Sequence, residues 1–341
     1  MKALLLKSPR EFAVVERPDP VCGPDDALVR VHRSGICATD VATIEGHSTV
    51  AVYPITPGHE FAGRIESAPA GSGFASGDWV TIYPTRGCGG CAPCRAGRPN
   101  HCREFKVLGV HRDGGSFAER IAVPVDQLIR LPPSLQNELG ALVEPLAVGV
   151  HANRRAGVRE DPARRIAVIG AGTVGAMVAQ VARAWGAADI VVADRLPARE
   201  SLMRSLGFER FLLTGDGELG APLQAFGGPL QLVFDNVCSR QTLAGALQAL
   251  EPGGTLVLLG FPHDDGEVPL RYSLAYQREV SVLWSRNYVR DDFTDAIDLL
   301  ERGSVDGRRM ITGTWPLTGF DAAYAELRAD PARHVKVMIA P

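Results

Sequence analysis

Hydrophobic and polar positions alternate in short runs through the first 150 residues. Ala27–Arg33, Phe61–Glu66, Trp79–Tyr83 and Phe117–Val123 are apolar-rich and β-branched, and turn residues bound each of them. That pattern predicts strands of a largely β unit. Leu139–Ala156 reads as helix, with little turn chemistry inside it. From about Arg164 the rhythm changes. Apolar runs at Ile166–Ile169, Ile190–Ala193, Leu232–Phe234 and Thr255–Leu259 are separated by helical segments, the signature of a parallel sheet covered on both faces. The tail predicts helices over Phe293–Arg302 and Phe320–Leu327, then a closing strand at His334–Ile339. The expected organisation is one domain from residues 1–150, rejoined by 288–341, with a nucleotide-binding α/β domain of residues 151–287 between them.

Composition narrows the class. The chain has 341 residues, 45% of them hydrophobic, enough to fill the cores of two domains. A net charge of −3 leaves no electrostatic footprint for nucleic acid. The start, Met1-Lys2-Ala3-Leu4-Leu5-Leu6-Lys7, lacks the long apolar core of a secretion signal. No apolar run approaches the roughly 18 residues of a membrane span. Seven cysteines, an odd number with four in one loop, suit a reducing compartment in which thiolates serve metals. The expectation is a soluble cytoplasmic protein without nucleic-acid or membrane partners.

That loop is the most specific motif. Cys88, Cys91, Cys94 and Cys102 are spaced by two, two and seven residues, which suits tetrahedral capture of one zinc by four thiolates. The odd cysteine count argues against disulfides, and a loop followed by a distant return is unlike the ligand runs of iron–sulfur clusters. A closed four-sulfur site has no open position for chemistry, so it reads as a structural staple, and catalysis belongs elsewhere.

A second motif follows the strand Ile166–Ile169. Gly170-Ala171-Gly172-Thr173-Val174-Gly175 leads into a helix over Ala176–Trp185, and Asp194 ends the next strand, 19 residues beyond Gly175. Gly170 makes the tight turn, Gly172 admits backbone N–H groups to a diphosphate, and Gly175 lets helix and strand pack closely. The helix N-terminus adds partial positive charge for phosphates. With the acid in place this is a dinucleotide site. Asp194 suits a ribose diol and repels a 2′-phosphate, which favours NAD over NADP, whereas Arg195 and Arg199 are cations that could take that phosphate.

Three separate segments carry metal-ligand residue types: Gly35-Ile36-Cys37-Ala38-Thr39-Asp40, Pro57-Gly58-His59-Glu60-Phe61 and Val143-Glu144-Pro145. A Cys, a His and a carboxylate can hold zinc with its fourth position open. With the cysteine loop and the glycine loop, these segments make the chain resemble the zinc-dependent medium-chain alcohol and polyol dehydrogenases over essentially its whole length. The resemblance implies a GroES-like, partly open β-barrel catalytic domain beside a doubly wound Rossmann domain, two zinc ions per subunit and NAD. It implies Cys37, His59 and Glu144 as catalytic zinc ligands, with Glu60 a neighbouring or exchanging ligand. Asp40 would fix the His59 tautomer, and Thr39 would receive the substrate hydroxyl. Glutamate at position 144 resembles the sorbitol and threonine dehydrogenase branch. A homodimer or homotetramer is implied too, with the edge strand Glu279–Leu283 as one pairing surface.

Substrate is less local. Gly109–Phe117 and Trp284–Asn287 look similar to segments of L-galactonate and L-gulonate 5-dehydrogenases. A sugar acid requires a cation for its carboxylate, so Arg286, with Asn287 beside it, and secondarily Arg112, are the candidate substrate residues. Sorbitol-, threonine- or galactitol-phosphate-type activity remains open on the same scaffold, and a non-catalytic NAD-binding redox regulator is a more distant alternative.

Overall fold

Ala27, Val29 and Val31 point inward along the strand Asp26–Gly35, and Arg30 between them is exposed. This alternation centres the first sheet of the computed structural model, which describes residues 1–215, 219–226, 228–261 and 267–341. The sheet runs Ile311–Pro316, Lys336–Ala340, Asp26–Gly35, Glu60–Ser67, Trp79–Ile82, Leu128–Arg130, and Arg120–Pro124 also pairs with Asp26–Gly35. All of its pairings are antiparallel except the one between the two tail strands. Val29, Phe61, Ile65, Val80 and Ile121 pack on one another inside it. A hairpin of Lys2–Ser8 and Glu11–Glu16 contributes Leu4 and Leu6 to a neighbouring core with Phe117, Phe320 and Ile339.

The second sheet is entirely parallel, in the order Phe211–Leu213, Ile190–Asp194, Ile166–Ile169, Leu230–Asp235, Leu250–Leu258, Ser281–Trp284. All four residues of Ile166–Ile169 are buried, as expected of a strand covered on both faces. The chain winds outward from this strand in one direction, then returns to wind in the other. The strand therefore ends at a topological switch point, where doubly wound folds open a crevice.

Contacts divide the described chain into two units: Met1–Glu144 with Val289–Glu301 and Met310–Pro341, and Pro145–Tyr288 with Arg302–Arg309. The division falls after Glu144 rather than at residue 150, and 302–309 goes with the second unit. Gly149 packs against the Met177–Val178 backbone, where a Cβ would lie 3.2 Å from it, and the Asp306 N–H donates to Gln180 Oε1 at 2.8 Å, which accounts for the two differences. Leu139–Ala156 is not one helix: a 3₁₀ segment, Glu138–Leu142, precedes the α-helix Val143–Arg155. The strand expected at Phe117 starts at Arg120, because Phe117 is fully buried and its N–H is spent on Pro57 O. Among the described residues no helix is long and apolar enough to cross a membrane.

Candidate metal centres and nucleotide site

The ligand atoms of Cys88, Cys91, Cys94 and Cys102 lie within 4.8 Å of one another, and all four are free thiols. The loop curls through the short helix Ala92–Arg95 and a 3₁₀ turn, Pro99–His101, which returns Cys102 beneath the others. Cys102 Sγ accepts the N–H groups of Cys88 and Glu104, each at 3.3 Å. These donors, Cys88 first, pull the Cys102 thiol down to about 7, which favours the thiolate that a metal requires. Four soft donors so disposed fit zinc.

The second cluster assembles from three places in the first unit. Cys37 caps the helix Ala38–Glu45, His59 precedes the strand Glu60–Ser67, and Glu60 opens that strand. Ligand atoms of these three residues lie within 4.8 Å of one another. Glu144, expected as a ligand, is outside this compact set, but it is buried and its charge acts on His59. Mixed sulfur, nitrogen and oxygen donors, three in number, fit a zinc with an open position.

Asp40 serves this cluster through the backbone. Its carboxylate accepts the Cys37 N–H at 2.9 Å and the Gly58 N–H at 3.2 Å, tying two ligand-bearing segments together. His59 Nδ1 lies 3.6 Å from Asp40 Oδ1, longer than a hydrogen bond. Burial opposes charge on His59, yet Asp40, Cys37 and Glu144 together hold its pKa well above the ordinary imidazole range. Thr39 is exposed in the first turn of the same helix.

Sequence reasoning missed Lys336. It is 2% exposed, on the closing strand, and its ammonium donates to both Glu60 oxygens and to Ile36 O at 3.1 Å. Burial lowers its pKa, but Glu60 foremost, then Cys37 and Glu144, raise it on balance. A lone lysine in an apolar strand gives no local signal for this role.

In the second unit Gly170 has φ +87°, and a Cβ on Gly175 would run into the Gly170 carbonyl. Gly172 faces open space and caps the helix Thr173–Ala184 without a side-chain hydrogen bond, a terminus disposed to receive an anion. Thr173 and Val174 form its half-buried first turn. Asp194 Oδ2 accepts the Ala171 N–H at 2.7 Å and Oδ1 the Leu196 N–H at 2.9 Å, bracing the glycine loop against the next strand. Arg195 is exposed, whereas Arg199 is 7% exposed and so is not a surface cation beside it.

Arg286 is exposed and Asn287 has φ +54°, just beyond the strand Ser281–Trp284. Arg112 is not brought to the Cys37 cluster. It lines a separate concavity in which none of Cys37, His59, Glu60 and Glu144 takes part.

Comparison with known proteins agrees with this geometry. The alcohol dehydrogenase GroES-like domain matches residues 23–133, and the zinc-binding dehydrogenase domain matches residues 173–302. An L-galactonate-5-dehydrogenase of Escherichia coli K12 is 32% identical over 95% of this chain and 94% of its own. The structure of an alcohol dehydrogenase, RspB, from E. coli CFT073 with NADH superposes with a TM-score of 0.91 at 28% identity, covering 100% of this chain and 99% of the other. A zinc-binding dehydrogenase from Sinorhizobium meliloti bound to NADP gives 0.90 at 31% identity, with 100% and 99% coverage. Two sulfur-bearing clusters whose donors fit a metal ion, a phosphate-ready glycine loop and these matches lead to one conclusion: the chain belongs to the zinc-type medium-chain alcohol and polyol dehydrogenases, NAD(P)-dependent oxidoreductases.

Proposed function

We propose that this dehydrogenase oxidises a secondary alcohol of a sugar acid, of the L-galactonate or L-gulonate type, to the ketone with NAD⁺. The observation that carries the reading is the Cys37–His59–Glu60 set, with three donors converging in one place. Its support for a sugar acid is the similarity to an L-galactonate-5-dehydrogenase, together with Arg286 as a bidentate partner for a carboxylate.

Cys37 and His59 would hold a catalytic metal with a carboxylate, Glu60 or Glu144, and the four-cysteine loop would hold a second ion, giving two per subunit. Zinc at the first set supplies a Lewis acid that lowers the pKa of an alcohol. Asp40 keeps the two ligand segments in register through the Cys37 and Gly58 N–H groups. Thr39 takes the hydroxyl proton at Oγ1 and passes it to solvent. NAD⁺ at the glycine loop would supply the hydride acceptor, so that one alcohol and NAD⁺ would give one ketone, NADH and a proton. Asp194 favours NAD over NADP. The exposed edge strand Ser281–Trp284, on which Trp284 is 66% exposed, suits pairing with a second copy in a homodimer or homotetramer.

The test is NAD⁺ reduction against hexonates, hexitols, threonine, hexitol phosphates and simple alcohols, with and without a chelator. Chelator-sensitive turnover of a hexonate supports the proposal. Turnover of neutral polyols alone overturns its sugar-acid part. Absence of any turnover by zinc-replete, NAD-binding protein overturns it entirely and favours a redox regulator.

A further inference from the structure

A concavity of about 530 Å³ opens within the first unit, and its lining includes four guanidiniums: Arg17, Arg86, Arg112 and Arg120. Two of them are already committed. Arg17 pairs with Asp113 at 3.0 Å and donates to Thr56 Oγ1 at 2.7 Å. Arg120 pairs with Glu66 at 2.8 Å and lies 3.6 Å from Asp19.

Arg86 and Arg112 differ. Neither makes an ion pair among the described residues, and Arg112 reaches only Gln127 Oε1, at 3.5 Å. Asp26, which also lines the concavity and accepts the Gly23 N–H at 2.9 Å, and Asp126 both favour the Arg112 cation without forming an ion pair with it. Burial and then the charge of Arg86 both make the Arg112 cation less comfortable. Leu108, Ala118 and Ile121 give the concavity an apolar floor. Two cationic forks in one such lining, neither of them in an ion pair among the described residues, are complementary to a planar or tetrahedral oxyanion.

We propose that this concavity is a binding site for a small metabolite bearing a carboxylate or phosphate, gripped between Arg86 and Arg112 and separate from the metal and nucleotide sites. Thr56, Gly114 and Gly115 in its lining adjoin the loop that leads to His59. The N–H groups of Gly115, Ser116 and Phe117 donate to the carbonyls of Thr56, Gly58 and Pro57 at 2.8, 2.9 and 3.0 Å, and a Cβ on Gly109 would run into the Gly58 carbonyl. An anion on Arg112 therefore braces the segment that enters His59.

The experiment titrates zinc-replete, full-length protein, saturated with NADH to occupy the helix N-terminus, with inorganic phosphate or acetate at constant ionic strength set by chloride. Saturable binding by calorimetry is expected, with the stronger of the two probes identifying the ligand group. Arg86→Gln, a change at an exposed side chain, and Arg112→Gln should each weaken it about tenfold, and Arg286→Ala should leave it intact. Binding to Arg86→Gln equal to the parent, an equal response to chloride, or loss of binding in Arg286→Ala would overturn the proposal.

Discussion

The Lys336 ammonium lies 2.6 Å from Glu60 Oε2 and 2.9 Å from Oε1, linking the closing strand to the residue after His59 across 276 positions of sequence. Both side chains are 2% exposed. Asp40, Glu60 and Glu144 are buried around Cys37 and His59, and carboxylates removed from water require cations nearby. Lys336 supplies one fixed positive charge to that group, and the proposed ligands Cys37, His59 and Glu60 would take a second from a metal ion.

Removing one partner of such a pair strands the other charge. Lys336→Met should therefore cost about 3–5 kcal/mol of unfolding free energy, and adding Glu60→Gln should recover part of the loss. Denaturant midpoints of the parent, both single variants and the double variant test this. Additive losses would mean that the two side chains act independently.

The two metal clusters should separate cleanly by mutation. Cys91→Ser should remove one zinc per chain and lower the melting temperature, since binding to a structural site is folding free energy. Cys37→Ser should leave NADH affinity unchanged and reduce turnover by more than about 100-fold, because even partners of metal ligands are worth about 10–100-fold. Zinc analysis, thermal melts and NADH titration distinguish the two. A Cys91→Ser protein as stable as its parent would remove the structural role from that loop.

The glycine loop and the cysteine loop were legible because all their residues are consecutive or nearly so. The parallel strands were legible because burial on both faces leaves plain apolar runs, as in Ile166–Ile169. Long-range partners left no such trace. Nothing near Lys336 announces Glu60, and Asp40 faces the Cys37 and Gly58 N–H groups more closely than the His59 ring. The hairpin Lys2–Ser8 with Glu11–Glu16 and the tail strand Ile311–Pro316 went unread, because they complete cores and edges supplied by distant sequence. Phe117 looked like the start of a strand and instead turns into a core with Phe320.

Asp113 gives the first unit an acid-sensitive link. Burial raises its pKa, but hydrogen bonds from Arg17 and from the Thr56 and Gly114 N–H groups outweigh burial and hold it below the usual carboxylate range. A depressed folded pKa contributes stability that is complete above the unfolded value, near 4, and is lost as pH falls through the folded value. The Asp113 side chain is 43% exposed and water screens the pair, so Asp113→Asn should destabilise the protein by no more than about 0.5 kcal/mol at neutral pH. The gap between parent and variant should close below about pH 4. Unfolding free energies of the pair across that range check it; a gap independent of pH would assign the loss to packing.

Asp194 braces the glycine loop, and we propose that it also sets cofactor choice. Its two oxygens hold the Ala171 and Leu196 N–H groups, so the carboxylate is fixed at the end of Ile190–Asp194, where an adenosine ribose docks in doubly wound folds. A phosphate on that ribose would meet a like charge that cannot swing away, and such juxtapositions cost several kcal/mol. Asp194→Ser keeps an acceptor and removes the charge, leaving exposed Arg195 available to the phosphate. The ratio of kcat/KM for NAD⁺ over NADP⁺ should then fall at least about tenfold, chiefly through KM for NADP⁺. If the ratio does not move, Asp194 is a brace for the glycine loop alone, and cofactor selection lies with other residues.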